Sequence, residues 1–208
     1  SCAMKSDATV TCWWQDNYGQ SSVPADLEPI VVPNVVFEDT AISAGGENTC
    51  LIQSGSAMCS ANMDAIETGA LQVSAGYYHT CVLKTNGTVS CSGANIPYTN
   101  LDGYDQLNVP AGLSNVIQVS SWQWYSCALK SDGTVQCWGK YGHLNTVVPS
   151  LSNVVSVSVA ESGYHACALK SDGTVECWGW WNDDSQLNVP SWLVDVGYIA
   201  AWFYHSCA

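Results

Sequence analysis

Cysteine is the residue whose spacing in this chain most clearly predicts chemistry. Eleven cysteines occur among 208 residues, and ten of them form five pairs separated by nine or ten positions. Each pair brackets a short sequence with turn residues near its centre, such as Asp132-Gly133 between Cys127 and Cys137. In a hairpin with such a turn the two cysteines lie opposite each other, with Cβ atoms within about 5.5 Å. The spacing therefore predicts one disulfide within each hairpin.

The predicted disulfides leave one cysteine over. They are Cys2–Cys12, Cys50–Cys59, Cys81–Cys91, Cys127–Cys137 and Cys167–Cys177. The eleventh cysteine, Cys207, is predicted to form an intermolecular bond or to lack its partner. A set of metal-binding thiols would need Cys-x-x-Cys or Cys/His spacings, which the chain does not have.

The amino-acid composition indicates the cellular compartment and excludes some classes of binding partner. Disulfides persist in oxidising compartments, so the chain is predicted to be secreted and extracellular. It carries 18 acidic residues, five lysines and no arginine, for a net charge of −13. Binding to a nucleic-acid backbone or to an anionic membrane needs clustered basic residues, so neither partner is expected. No apolar stretch reaches the length of a membrane span.

The chain shows no sequence signature of an enzyme. Phosphate loops, dinucleotide-binding glycines, nucleophile elbows and zinc-protease motifs are all missing, so no catalytic residue, metal or cofactor is predicted. Three histidines (His79, His165 and His205) occupy one repeat position, two residues before a cysteine. Residues at equivalent positions of successive repeats are spread apart, which favours a structural role for each histidine over a shared metal site.

The cysteine pairs belong to a repeat that resembles a known family. Residues 73–84 read Val-Ser-Ala-Gly-Tyr-Tyr-His-Thr-Cys-Val-Leu-Lys, and residues 163–179 carry the same pattern through Cys-Trp-Gly. Both are similar to the repeat of the regulator-of-chromosome-condensation family, and the resemblance is to its secreted, cysteine-rich, bacterial-type members. It implies an all-β fold, a β-propeller of about five four-stranded blades with one hairpin disulfide per blade.

The repeats divide one predicted domain, residues 1–208. They begin near positions 1, 41, 72, 116 and 154, and a partial sixth copy covers 194–208. Because Ser206-Cys207-Ala208 duplicates Ser1-Cys2-Ala3, two segments compete for one place in a closed ring. The strand before Cys207 is expected to pack beside the first hairpin, within the chain or from a neighbour. A closed ring is favoured over a polymer or a longer array, and both interpretations stay open.

Aromatic residues give the strongest indication of a binding site. Ten tryptophans and ten tyrosines stand beside two phenylalanines. The loop that starts after Gly179 combines Trp180 and Trp181 with Asp183 and Asp184, a set that can stack on a sugar and bind its hydroxyls. The other predicted ligand-binding residues are Trp122 and Trp124. A structural role for these aromatics, covering blade edges, is an equally good alternative.

These observations predict a secreted, non-enzymatic binding protein that recognises a carbohydrate or an extracellular protein surface. One alternative is a structural subunit of an extracellular filament that assembles through its terminal strands. A second alternative, drawn from the family resemblance, is an extracellular enzyme inhibitor. Asn86-Gly87-Thr88 is a glycosylation sequon, and Asn86 is predicted to carry a glycan if the host modifies asparagine.

Overall fold

A computed structural model describes ten stretches of the chain. They are residues 2–4, 10–12, 42–46, 49–59, 67–93, 105–139, 148–160, 165–179, 185–201 and 206–207, with the backbone alone at 2–4, 10–12 and 206–207. The chain forms two compact units, residues 1–38 and residues 39–208. Each unit is considered by itself.

The regular secondary structure of the described stretches consists of β-strands, which form six antiparallel sheets. We number these sheets as blades in chain order. In the first unit, blade 1 contains β1 (Cys2–Met4) and β2 (Val10–Cys12). In the second unit, blade 2 contains β3 (Ile42–Ala44), β4 (Thr49–Gln53), β5 (Ser56–Cys59) and β6 (Glu67–Thr68).

Blades 3 to 6 follow with the same strand order. They contain β7 (Ala70–Ala75), β8 (His79–Lys84) and β9 (Val89–Gly93); β10 (Val116–Trp122), β11 (Tyr125–Lys130) and β12 (Val135–Gly139); β13 (Val154–Val159), β14 (His165–Lys170) and β15 (Val175–Gly179); and β16 (Ala200–Ala201) with β17 (Ser206–Cys207). The fourth strands predicted for blades 3 to 5 fall outside the described residues.

The hairpin between the second and third strands has the predicted register. In blade 4, the Lys130 amide donates to the Thr134 carbonyl over 2.9 Å, and Gly133 takes a φ of +76°. This turn places Cys127 directly opposite Cys137, and the two form a disulfide. The other disulfides in the described residues are Cys50–Cys59, Cys81–Cys91 and Cys167–Cys177. One hairpin disulfide in each of blades 2 to 5 is therefore confirmed.

The two ends of the chain contain the remaining cysteines. Cys2 and Cys12 are backbone partners in the β1–β2 hairpin, and their disulfide stays a prediction. Cys207 pairs with Ala200 across β16 and β17, as Cys167 pairs with Ser158 in blade 5. Its partner, and the packing of its strand beside the first hairpin, stay predictions.

Blades 2 to 5 are each bonded to the next at the turn between their second and third strands. An amide at the start of the next first strand, or shortly before it in the case of Val196, donates to the carbonyl of the turn glycine: Ala70 to Gly55 (2.9 Å), Val116 to Gly87 (3.0 Å), Val154 to Gly133 (3.2 Å) and Val196 to Gly173 (3.0 Å). The Gly-Thr and Asn-Val elements of the repeat thus hold neighbouring blades together. We call the end of the blades that carries the turns between second and third strands the second-turn end.

Serine side chains link the first strands of successive blades. Each serine Oγ accepts from an amide of the next first strand: Ser43 from Ala75 (2.9 Å), Ser74 from Ser121 (2.8 Å), Ser120 from Val159 (3.0 Å) and Ser158 from Ala201 (3.0 Å). Gln72 and Gln118 accept in the same way from Val119 and Val157. The free edge of each first strand is satisfied by the preceding blade, so it exposes few unpaired donors.

Apolar cores fill the spaces between adjacent blades. Val82 of β8 packs with Ile52 of blade 2, whereas the next residue, Leu83, packs with Val119 of blade 4. Alternate side chains of a strand point to opposite faces of the sheet. The second strands of blades 3 to 5 are therefore buried on both faces, whereas the second strand of blade 2, β4, alternates between exposed and buried residues.

The first strands line an open cavity of about 290 Å³. Its lining includes Ser43, Gln72, Gln118, Ser156 and Tyr198, which come from blades 2 to 6 in turn. Sheets that pack face to face around a central cavity define a β-propeller. The predicted fold class is confirmed. Ring closure and a single domain over residues 1–208 stay predictions.

Candidate binding site

Two of the six predicted ligand-binding residues lie in the part of the chain that the structure describes. Trp122 is the last residue of β10, and Trp124 lies in the turn between β10 and β11. Residues Trp180, Trp181, Asp183 and Asp184 lie outside the described residues. The strand before them, β15, ends at Gly179 opposite His165, at the same end of its blade as the turn that carries Trp124 in blade 4.

The turn between β10 and β11 is tight. Trp122 and Tyr125 are cross-strand partners, so Gln123 and Trp124 alone connect the two strands. Gln123 takes a φ of +39°, which a short turn of this kind requires. Both tryptophans are half-buried. We call the end of the blades that carries the turns between first and second strands the first-turn end.

The first turn of the preceding blade carries two tyrosines, one of which contacts Trp124. Tyr77 and Tyr78 lie in the turn between β7 and β8, and their ring centroids are 4.5 Å apart. The Tyr78 ring stacks on the Trp124 ring with centroids 6.5 Å apart and an interplanar angle of 24°. We call Tyr77, Tyr78 and Trp124 the aromatic turn cluster, whereas Trp122 packs against the core between blades 4 and 5. The prediction of binding residues missed both tyrosines, although Gly-Tyr-Tyr occupies the same turn of its repeat.

The cluster also reaches back to blade 2. The Gly46 amide donates to the Gly76 carbonyl over 3.3 Å, which joins the first turns of the two blades. A Cβ atom on Gly46 would lie 2.1 Å from Cδ2 of Tyr77, so the tyrosine ring rests directly on the glycine backbone. Aromatic side chains therefore form a continuous surface over three successive first turns.

Buried polar groups lie beneath the cluster. His79 is fully buried, and its Nε2 is 2.9 Å from the hydroxyl of Ser126 in the next blade. Ser126 also hydrogen-bonds Ser121 and the sulfur of Cys81. Burial lowers the pKa of His79 to about 4, and a hydrogen bond with the Gln123 backbone opposes this effect. The neutral histidine therefore braces the junction of blades 3 and 4.

The described residues contain no group of three or more potential metal-ligating side chains. The described lysines at the repeat position are ion-paired, Lys84 with Glu67 over 2.9 Å, Lys130 with Asp132 and Lys170 with Glu176. These lysines belong to the scaffold and do not form a basic surface. In the described part of the chain, no helix is both long and apolar enough to cross a membrane.

Comparison with known proteins identifies the repeat. The model of the regulator of chromosome condensation (RCC1) repeat matches residues 71–96 and 154–186. Two stretches of this β-propeller thus match the RCC1 repeat, and the resemblance seen in its residues is confirmed. No curated protein matches the chain by sequence.

Several solved structures share the fold. The ectodomain of the receptor kinase CR4 from Physcomitrella patens is 22% identical with a TM-score of 0.65, covering 97% of this chain and 53% of that one. The CRINKLY WD40 ectodomain of the Arabidopsis thaliana receptor kinase ACR4 is 20% identical with a TM-score of 0.57, covering 97% and 68%. Yeast RCC1 (Prp20), solved bound to Kap60, is 17% identical with a TM-score of 0.55, covering 80% and 52%. The chain spans about half the length of the CR4 ectodomain, and identities this low indicate a common fold only.

Proposed function

We propose that this protein is an extracellular binding protein that recognises another protein through the aromatic turn cluster and catalyses no reaction. The observation that carries the proposal is the contact between Tyr78 and Trp124, which joins the aromatic turns of two blades into one surface. Hairpin disulfides in four successive blades support an oxidising, extracellular setting.

The form of the cluster favours a protein partner over a sugar. Sugar stacking needs an exposed aromatic face, whereas all three rings of the cluster are half-buried, and Tyr78 contacts both of the others. Clustered Tyr and Trp side chains are typical of the energetic centre of protein interfaces. The net charge of −13 further favours a partner with a basic surface.

The scaffold holds the cluster rigidly. Tyr78 and Trp124 each lie three residues before a disulfide-bonded cysteine, Cys81 and Cys127. The strands that begin beneath these rings are buried on both faces. A preorganised surface loses little conformational entropy on binding, which increases affinity.

The test is a screen of the oxidised protein against a displayed library of extracellular proteins, followed by affinity measurements on each hit. Trp124→Ala and Tyr78→Ala should weaken binding by about tenfold or more, because both residues lie at the centre of the surface. The control is Ile117→Ser, which replaces an exposed residue at the start of β10, at the other end of the blade. Equal losses in the three variants, with all three folded, would overturn the proposal.

Carbohydrate binding is the second candidate function. It is favoured by the position of Gly179, because the strand that leads into residues 180–184 ends at the first-turn end. On a glycan array, a Trp180→Ala/Trp181→Ala variant should then lose the wild-type signals. Signals that persist in this double variant would argue against a sugar site in the loop.

The filament and inhibitor alternatives stay predictions. Light scattering of the oxidised protein, with and without residues 196–208, tests the first of them. Filaments or oligomers that disappear on deletion would support assembly through the terminal strands. A monomer that merely loses stability would instead support a strand packed within its own chain.

A further inference from the structure

One second turn differs chemically from its counterparts in other blades. The turn of blade 3 reads Asn86-Gly87-Thr88, and it is the sole Asn-x-Ser/Thr sequence with a non-proline central residue in the chain. The corresponding turns of blades 4 and 5 carry Asp132 and Asp172 in place of the asparagine. Asn86 is exposed, as a modified side chain must be.

Asn86 closes its turn through its side-chain amide oxygen. Its Oδ1 accepts from the Thr88 amide over 3.1 Å and from the Thr88 hydroxyl over 2.7 Å. In the described residues, both side-chain hydrogen bonds of Asn86 are accepted by this oxygen. Substitution at Nδ2 leaves that oxygen in place, so the turn can persist after modification.

The sister repeats show that the turn does not require asparagine. Asp132 Oδ1 accepts from the Thr134 amide over 3.0 Å, and Asp172 Oδ1 accepts from the Thr174 amide over 3.0 Å. Either residue type therefore closes the same turn through the same oxygen. What the asparagine adds at position 86 is a nitrogen that can be modified.

We propose that Asn86 is an N-glycosylation site that places a single glycan at the second-turn end of the propeller. In the reaction, Nδ2 attacks the anomeric carbon of an oligosaccharide carried on a polyprenyl diphosphate. A C–N bond forms, the C–O bond to the diphosphate breaks with its electron pair, and one amide proton is released. The donor and the transferring enzyme belong to a secretory pathway, which the disulfides also require.

The position of the site determines what the glycan covers. Gly87 accepts the hydrogen bond from Val116, so the turn lies against the start of the next first strand. The following residue, Ile117, is 53% exposed in a β-bulge. The glycan would lie next to this apolar side chain, whereas the aromatic turn cluster at the opposite end of the blades would stay accessible.

The experiment is secretion of the chain from a eukaryotic host, with peptide mass spectrometry before and after enzymatic removal of N-glycans. Wild type should carry a glycan on Asn86. Asn86→Asp should lose it and keep the thermal midpoint of wild type made in a host that does not glycosylate asparagine, because aspartate closes the same turn. Asp132→Asn, which gives blade 4 the same Asn-Gly-Thr turn, should gain a second glycan.

Two outcomes would overturn the proposal. In the first, wild type and Asp132→Asn are both secreted without a glycan on either asparagine, which would show that this turn is not a substrate for glycan transfer. In the second, Asp132→Asn is modified at residue 132 while Asn86 stays free, so blade 3 in particular blocks its sequon. The result does not depend on any binding partner, since glycan occupancy is measured on the isolated protein.

Discussion

The two ends of the blades follow opposite sequence rules. At the second-turn end, the turns Ser131-Asp132-Gly133-Thr134 and Ser171-Asp172-Gly173-Thr174 are identical, and each turn glycine bonds the next blade. At the first-turn end, the corresponding residues change from Tyr77-Tyr78 to Gln123-Trp124. In blades 3 to 5, where these turns bond the next blade, the sequence varies only between Asn-Gly-Thr and Asp-Gly-Thr. Where a turn faces outward, its sequence is free to serve recognition.

The largest expected effect is a steric one at the second-turn end. A Cβ atom on Gly173 would lie 2.9 Å from Cα of Asp195 in the next blade, whereas a Cβ on Gly55 would meet no atom within 4 Å. Both glycines have positive φ, +76° and +69°, so alanine at either position costs about 1–2 kcal/mol in backbone strain. Gly173→Ala should lose about 1–3 kcal/mol more through overpacking.

Denaturant unfolding of the two oxidised variants measures this difference. Gly55→Ala is the matched control because its carbonyl bonds the following blade in the same manner, over 2.9 Å from Ala70. Equal destabilisation of the two variants would show that the turn of blade 5 does not fit tightly against the next backbone, and the contrast between the two ends would weaken.

The next effect is acid sensitivity at the first-turn end. The folded-state pKa of His79, about 4, is lower than its ordinary value of 6.5, so the unfolded chain binds the proton more readily. The free energy of unfolding should therefore fall as the pH drops from 6.5 to 4, by up to about 3 kcal/mol. At the second-turn end, hydrogen bonds from Thr134 lower the pKa of Asp132 to about 2, so its charge is retained over this range.

Unfolding of wild type and His79→Asn across this pH range tests the assignment. Asparagine fills the equivalent repeat position at Asn48, and it does not titrate. The variant should show a shallower loss of stability than wild type between pH 6.5 and 4. An unchanged pH dependence would place the acid sensitivity in other groups.

The smallest expected effect concerns the hydrogen bonds that first-strand serines accept from amides of the next blade. Ser120→Ala removes the acceptor for the Val159 amide, 3.0 Å away, and should cost about 1 kcal/mol. Ser152→Ala changes an exposed serine and should stay within about 0.5 kcal/mol of wild type. If both substitutions had the same effect on thermal unfolding, the serine bonds would contribute little to holding the blades together.

Much of the fold could be predicted from local sequence because its rules are local. The distance from Cys127 to Cys137 and the glycine between them determine a hairpin register, and the register determines the disulfide. The same reasoning succeeded for the shorter Cys50–Cys59 loop, where Ser54 and Gly55 both take positive φ. Each of these inferences needs only about ten consecutive residues.

The candidate site could be predicted only in part, because it is formed between blades. The sequence singled out Trp122 and Trp124 as ligand-binding candidates. It did not single out Tyr78, whose ring meets Trp124 from a position 46 residues earlier in the chain. Such a contact depends on how two sheets pack face to face, which no turn or spacing rule specifies.

The sequence by itself determined the hairpins, their disulfides and the repeat that resembles RCC1, since turn chemistry and short-range register act within each copy. The tertiary structure decided which copies touch and through which atoms. Val82 and Leu83 are adjacent in the chain, yet they pack into the cores on opposite sides of their blade. Alternation along the strand supplies two apolar faces, and only the stacking of blades determines what each face meets.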